Sequence, residues 1–121
     1  MSCFFRLVEK DVWNPSNFVA RLFTEEARTL ARLLELQSGV GEIVDDECEL
    51  NPKDFLNFTI TLAERHWNTN NLTLRDLLAA IIGINCVMLD RAGQDLLGLD
   101  SECRAFWRDR MQVISAGMPR G

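Results

Sequence analysis

The side chains that could do chemistry are concentrated in an acidic run in the first half of the chain. Carboxylates this close in sequence repel one another, so such a run is solvated, binds a cation or faces a basic partner. We interpret it as a surface that binds a basic protein, and a solvated loop is the alternative. The five carboxylates, with no lysine or arginine among them, are Glu42, Asp45, Asp46, Glu47 and Glu49.

The spacing within the acidic run argues against a metal site. An EF-hand loop needs alternating oxygen ligands, a central glycine and a glutamate at its twelfth position. Here Ile43 and Val44 lie where oxygen ligands are needed. A structural zinc site needs four cysteine or histidine ligands at paired spacings, and one histidine with four scattered cysteines does not provide them. The sequence therefore predicts no metal ion, and no cofactor is expected.

His66 is the single histidine and the one candidate for acid–base catalysis. A catalytic histidine needs a nucleophile or an orienting acid, and the sequence nominates neither. The helix dipole alone favours a histidine near a helix C-terminus. The glycine pair Gly39-Val40-Gly41 lacks the rest of a phosphate-binding loop. We therefore predict no catalytic residue and a protein that is not an enzyme.

Composition argues against two classes of partner. The net charge is −5, whereas nucleic acids and anionic membrane surfaces both select basic surfaces. We therefore expect no nucleic acid and no membrane among the partners. The four cysteines form no CxxC pair, and the first residues lack the charged start and long apolar stretch of a signal peptide. These features predict a reduced, cytoplasmic protein, and a chain with two disulfides is the alternative.

Trp67 is the residue outside the acidic run that we add to the predicted partner-binding set. Tryptophan and arginine are enriched at protein interfaces. Trp67 adjoins polar residues at the predicted end of a helix, so part of its ring is expected to be exposed. A position in the core is the alternative for this side chain.

Capping residues and a three-four spacing of apolar residues predict four or five helices. The first is either one long helix or two short ones, because Thr24-Glu25-Glu26 could mark a fresh start. Inside the third, Gly83 either weakens the helix or allows a neighbouring helix to approach closely. The predicted starts are Asn14-Pro15, Asn51-Pro52, Thr73 as a capping residue, and Asp100-Ser101.

The residues before the first helix predict a short strand or an extended arm over Cys3–Val12, because apolar side chains occupy alternate positions. A single strand cannot form a sheet, so it would pair with Gly41–Val44 or with a partner chain. The tail after Gly117 is expected to fray. With 121 residues, the chain is predicted to be a single globular domain. The fold class is mostly α: a small irregular bundle of four to five helices with at most a minor N-terminal β element.

By size and charge the chain resembles small acidic neutralising proteins, such as immunity proteins that block a cognate toxin. The resemblance implies a non-enzymatic protein that binds and neutralises a basic partner, such as a toxin nuclease. The carboxylates of Glu42–Glu49 would then mimic a track of phosphates and dock on a basic active site. The alternative function is a secretion or assembly chaperone that holds an unfolded client segment in an apolar groove. The oligomeric state stays open.

Overall fold

The fold combines four helices with a four-stranded mixed sheet, in a computed structural model that describes residues 1–121. Helices contain 57% of the residues and strands 16%, so the fold class is α+β. The prediction of a mostly α bundle with at most a minor N-terminal β element is therefore wrong. In chain order the elements are β1 (Phe4–Leu7), β2 (Lys10–Trp13), α1 (Asn17–Leu33), β3 (Val40–Val44), β4 (Glu47–Leu50), α2 (Pro52–Asn68), α3 (Leu72–Arg91) and α4 (Ser101–Ser115).

The sheet has the strand order β2-β1-β4-β3. Strand β1 is antiparallel to β2 and parallel to β4, and β3 and β4 form an antiparallel hairpin. The predicted strand over Cys3–Val12 is thus two strands. It pairs within the chain, but Gly41–Val44 is not its neighbour, because β4 lies between β1 and β3.

The acidic run forms the β3–β4 hairpin. Along β4, exposed and buried residues alternate, which is the two-residue period of a strand. The exposed positions are the carboxylates Glu47 and Glu49, and the buried ones are Cys48 and Leu50. Two residues of positive φ, Asp45 and the residue after it, connect the strands, as in a type I′ turn. The run is therefore an ordered hairpin, with β3 as the edge strand and β4 inside the sheet, and not a free loop.

Helix α3 is the centre of the helical layer and contacts α1, α2, α4 and β2. An added Cβ at Gly83 would meet the Cδ1 atom of Ile114 on α4, so this glycine allows α4 to approach closely. Trp107 of α4 is 1% exposed beside it. Helix α3 is also the one helix long and apolar enough to cross a bilayer, but half of its apolar window is buried in the fold, as in the core helix of a globular domain.

The helix starts agree only in part with the predicted ones. Asn51 caps α2 as predicted, because its side-chain oxygen accepts the N–H of Asp54 at 3.0 Å. Helix α1 is one continuous helix, and Ser16 caps it in place of Asn14. Helix α3 is capped by Asn71 and not by Thr73. Each of these helices thus begins directly after the residue whose side-chain oxygen accepts a backbone N–H of the first turn.

The C-terminal tail packs along the outer edge of β2 and does not fray. Met118 is 4% exposed, and the N–H of Asn14 donates to the carbonyl of Pro119 at 2.6 Å. Arg91 and Arg120 donate to the carbonyls of β2, the first of them at 2.9 Å to Val12. The tail thereby covers an edge strand that would otherwise be open to pairing with another chain.

Candidate functional site

One face of the sheet packs on the helices, and the other carries the acidic residues. Strands β1 and β4 alternate between buried side chains and exposed or half-buried ones. The register places Arg6 beside Asp11 on one neighbouring strand and beside Glu49 on the other. Phe4 lies beside Glu47 in the same way. We name this surface, defined by Phe4, Arg6, Asp11, Glu47 and Glu49, the outer face.

Arg6 is the single cation among the strand residues of the outer face, and three carboxylates surround it. Its guanidinium lies 3.4 Å from the carboxylate of Asp11, 3.6 Å from that of Glu47 and 3.9 Å from that of Glu49. The three carboxylate side chains are half or more exposed, so these ion pairs contribute little to stability. Their main consequence is geometric, because they hold the carboxylates in one cluster that keeps a net negative charge.

The turn of the β3–β4 hairpin extends this negative surface. Asp45 and Asp46 are exposed, and neither forms an ion pair. They add two unpaired carboxylates to the three that surround Arg6. The fold thus brings together four of the residues predicted from the sequence. It adds Arg6 and Asp11, which no local pattern indicated because their positions depend on pairing between distant segments.

Glu42 and Trp67 lie elsewhere. Glu42 is on the edge strand β3, where its carboxylate is 3.9 Å from the guanidinium of Arg28 on α1. Arg28 also donates to the carbonyl of Gly41 and so covers part of that edge. Trp67 lies near the end of α2, about 22 Å along the helix from its first residue, which directly follows the sheet. There it packs half-buried against Phe106, with ring centroids 5.8 Å apart. Trp67 is therefore not part of the outer face.

His66 is a core side chain in this fold. It is 7% exposed, and its ring centroid lies 5.0 Å from that of Trp107. Burial lowers the pKa of His66, and the nearby guanidinium groups of Arg75 and Arg110 lower it further, against a weaker opposing effect of Asp76. No protein group accepts or donates a hydrogen bond at its Nδ1 atom. The imidazole is thus held neutral among aromatic rings, with no acid placed to orient it.

The lowered pKa of His66 predicts a loss of stability in mild acid. The unfolded chain takes up a proton near the ordinary pKa of 6.5, whereas the folded chain does so only at lower pH. The stability contributed by neutral His66 is therefore complete above about pH 6.5 and decreases as the pH falls through the folded-state pKa. Urea unfolding between pH 8 and pH 5.5 measures this effect, since the chain has no other histidine. His66→Phe keeps an aromatic ring and should flatten the profile; an equal slope in that variant would contradict the assignment.

All four cysteines are buried free thiols. Burial raises the pKa of Cys48 and of Cys86 to about 12, and it also raises the pKa values of Cys3 and Cys103. The reactive thiolate is therefore disfavoured at every cysteine, and these side chains act as small apolar groups of the core. No group of three or more histidine, cysteine, aspartate or glutamate side chains is placed to hold a metal ion.

Comparison with known proteins places the chain in one family. Residues 1–120 match the family of unknown function DUF6086, and the chain belongs to that family. No curated protein and no solved structure matches it. The match extends over almost the whole chain, so the sheet and the helices described above belong to one family unit.

Proposed function

We propose that this member of DUF6086 is a small non-enzymatic protein that binds and neutralises a basic protein partner, as an immunity protein blocks a toxin nuclease. The observation that carries the proposal is the outer face with its adjoining turn: three exposed carboxylates surround the guanidinium of Arg6, and the turn adds those of Asp45 and Asp46. The carboxylates of this face are half or more exposed, so a partner can approach them directly.

The spacing of the charges suits a partner that binds a polyanion. Glu47 and Glu49 are two residues apart on one strand, which places their Cα atoms about 7 Å apart. Asp45 and Asp46 continue the row at the end of the hairpin. Such a row of anionic oxygens resembles a nucleic-acid backbone in charge and hydrogen-bonding capacity. Arginine side chains in a nuclease site could pair with these carboxylates in the bidentate manner they use for phosphates.

Two apolar side chains adjoin the carboxylates and would add desolvated contact area. Phe4 lies beside Glu47, and Val44 is paired with Glu47 from the other side and is 61% exposed. Long-range attraction would accelerate association, and the apolar contacts would slow dissociation. We place the protein in the cytoplasm, because four buried, unpaired thiols suit a reducing compartment.

Neutralising the turn is expected to weaken binding of the partner about tenfold to a hundredfold at low salt and to flatten its salt dependence. The variant is Asp45→Asn, Asp46→Asn and Glu47→Gln, which keeps shape and lets asparagine occupy the positive-φ positions. The partner is first captured from the native host at low salt and eluted with a salt gradient. Its affinity for each variant is then measured by surface plasmon resonance.

The matched control removes the same charge from exposed helical positions, with Glu64→Gln, Glu102→Gln and Asp109→Asn. These changes should leave the affinity nearly unaltered. Unchanged affinity in the turn variant, or an equal loss in the control, would contradict the proposal. Capture of several unfolded clients that salt does not release would instead favour the chaperone function.

A further inference from the structure

A second surface, in the helical layer, carries exposed apolar side chains that the outer face does not use. An open groove of about 350 Å³ runs between α1 and α3. We name it the α1–α3 groove. Its lining consists of four apolar side chains, two carboxylates and a threonine: Leu22, Leu30, Leu77, Ile81, Glu25, Glu26 and Thr29.

The apolar residues of the groove are more exposed than core packing requires. Leu77 is 70% exposed and Leu22 is 47% exposed, and Phe18, one turn before Leu22, is 72% exposed. Single exposed apolar residues are normal on protein surfaces. Here two of them face one groove whose floor includes Ile81, which is 4% exposed and so belongs to the core. The groove therefore offers a continuous apolar strip from the surface to the core.

The charge of the groove selects the chemistry of its occupant. Glu25 and Glu26 line it and no basic residue does; just outside the lining, Asp76 next to Leu77 and Arg21 next to Leu22 are both exposed. A second copy of this chain would bring these carboxylates together across a two-fold axis, where like charges repel. A segment with apolar anchors and flanking lysine or arginine side chains complements the surface instead.

We propose that the α1–α3 groove binds an amphipathic helical segment of a partner protein, with leucine-like anchors on one face and basic residues beside them. A groove between two helices accepts a third helix, whose anchors recur three and four residues apart. Leu22 and Leu77 contact the anchors from the two walls, and Glu25 and Glu26 pair with the flanking cations. The inference does not rest on the proposed function of the outer face, because it uses none of the outer-face residues.

The test uses a synthetic eighteen-residue helical peptide of leucine and lysine as the probe, with a leucine and glutamate peptide as its counterpart. Isothermal titration calorimetry with the full chain should show binding of the basic peptide and not of the acidic one. The double variant Leu22→Ser and Leu77→Ser should weaken binding about tenfold or more. Glu25→Gln with Glu26→Gln should weaken it severalfold and reduce its dependence on salt.

The control variants distinguish binding in this groove from nonspecific hydrophobic binding and from binding at the outer face. Val113→Ser and Leu97→Ser remove apolar side chains that are 77% and 70% exposed outside the groove, and they should leave peptide affinity unchanged. The neutralised-turn variant should also bind the peptide as the wild type does. Equal affinity in the Leu22 and Leu77 variant, or an equal loss in either control, would overturn the proposal. A dimer in sedimentation velocity that this double variant abolishes would also overturn it, because the occupant would then be a second copy.

Discussion

Replacing Gly39 with alanine is expected to lower the free energy of unfolding by about 3 kcal/mol or more. Gly39 has a φ of +76°, a left-handed conformation that disfavours alanine by about 1–2 kcal/mol. An added Cβ would also lie 2.8 Å from the Cα atom of Phe55 and closer still to its backbone nitrogen. These atoms belong to the first turn of α2, so the contact can be relieved only by moving the helix away from the sheet.

Gly93→Ala is the matched control for the conformational part of this effect. Gly93 has a φ of +74°, and an added Cβ there would meet nothing within 4 Å. This variant should therefore lose only about 1 kcal/mol. The shift of the urea unfolding midpoint, at an unchanged m-value, gives the loss of stability in each variant. Equal losses in the two variants would show that the contact with Phe55 contributes nothing.

Gly39 also fixes the position of the hairpin that carries the proposed binding residues. Its carbonyl accepts the N–H of Asn51 at 2.8 Å, and Asn51 caps α2 directly after β4. The start of β3, the end of β4 and the start of α2 are thus held at one point. A displaced α2 would move the hairpin that carries Glu47 and Glu49. Partner binding by Gly39→Ala should therefore weaken, although Gly39 lies outside the outer face.

The helices could be predicted because their signals are local. Asn51-Pro52 combines a capping amide with proline at the first helical position, and α2 begins there. Apolar residues lie on most sides of α3, which is the local pattern of a helix buried in the core. The predicted start of α1 was wrong because two residues that cap helices about equally well, Asn14 and Ser16, lie on either side of Pro15.

The sheet could not be predicted in the same way. The turn between β1 and β2 places Val8 and Glu9 at positive φ, where glycine and asparagine are the usual residues. A β-branched residue gives no sequence signal for such a turn. The pairing that completes the sheet, Phe5 of β1 beside Cys48 of β4, joins segments far apart in the chain. Only tertiary packing determines that register.

The same distinction applies to the candidate site. Glu47 and Glu49 were predicted from charge, and their alternation with Cys48 and Leu50 was a strand signal that the charges obscured. Arg6 and Asp11 join them through strand register, which the sequence does not encode locally. Trp67 was added to the predicted set because tryptophan is enriched at interfaces and this one adjoins polar residues at a helix end, but a helix of 17 residues places it away from the sheet.

Asn85 is the buried polar side chain whose replacement should have the other large effect. It is 0% exposed on α3, and its Nδ2 group donates to the hydroxyl oxygen of Thr59 at 3.2 Å. The Thr59 hydroxyl in turn donates to the carbonyl of Phe55 at 2.8 Å. The Oδ1 atom of Asn85 has no hydrogen-bond partner. The site therefore accommodates a neutral side chain of this size and offers nothing to compensate a charge.

Asn85→Asp is expected to lower the free energy of unfolding at pH 7 by about 3–5 kcal/mol, because it buries an unpaired carboxylate of nearly the same shape. The folded state then favours the neutral acid, so the pKa of the introduced carboxyl rises above its unfolded value. The loss of stability should accordingly shrink as the pH falls from 7 toward 5. Asn85→Leu is the control: it fills a similar volume and removes an unpartnered oxygen, and should change stability by less than about 1 kcal/mol. Equal stability of the Asp and Leu variants at pH 7 would show that water reaches this position, and that α3 is less tightly packed against α2 than the hydrogen bond to Thr59 requires.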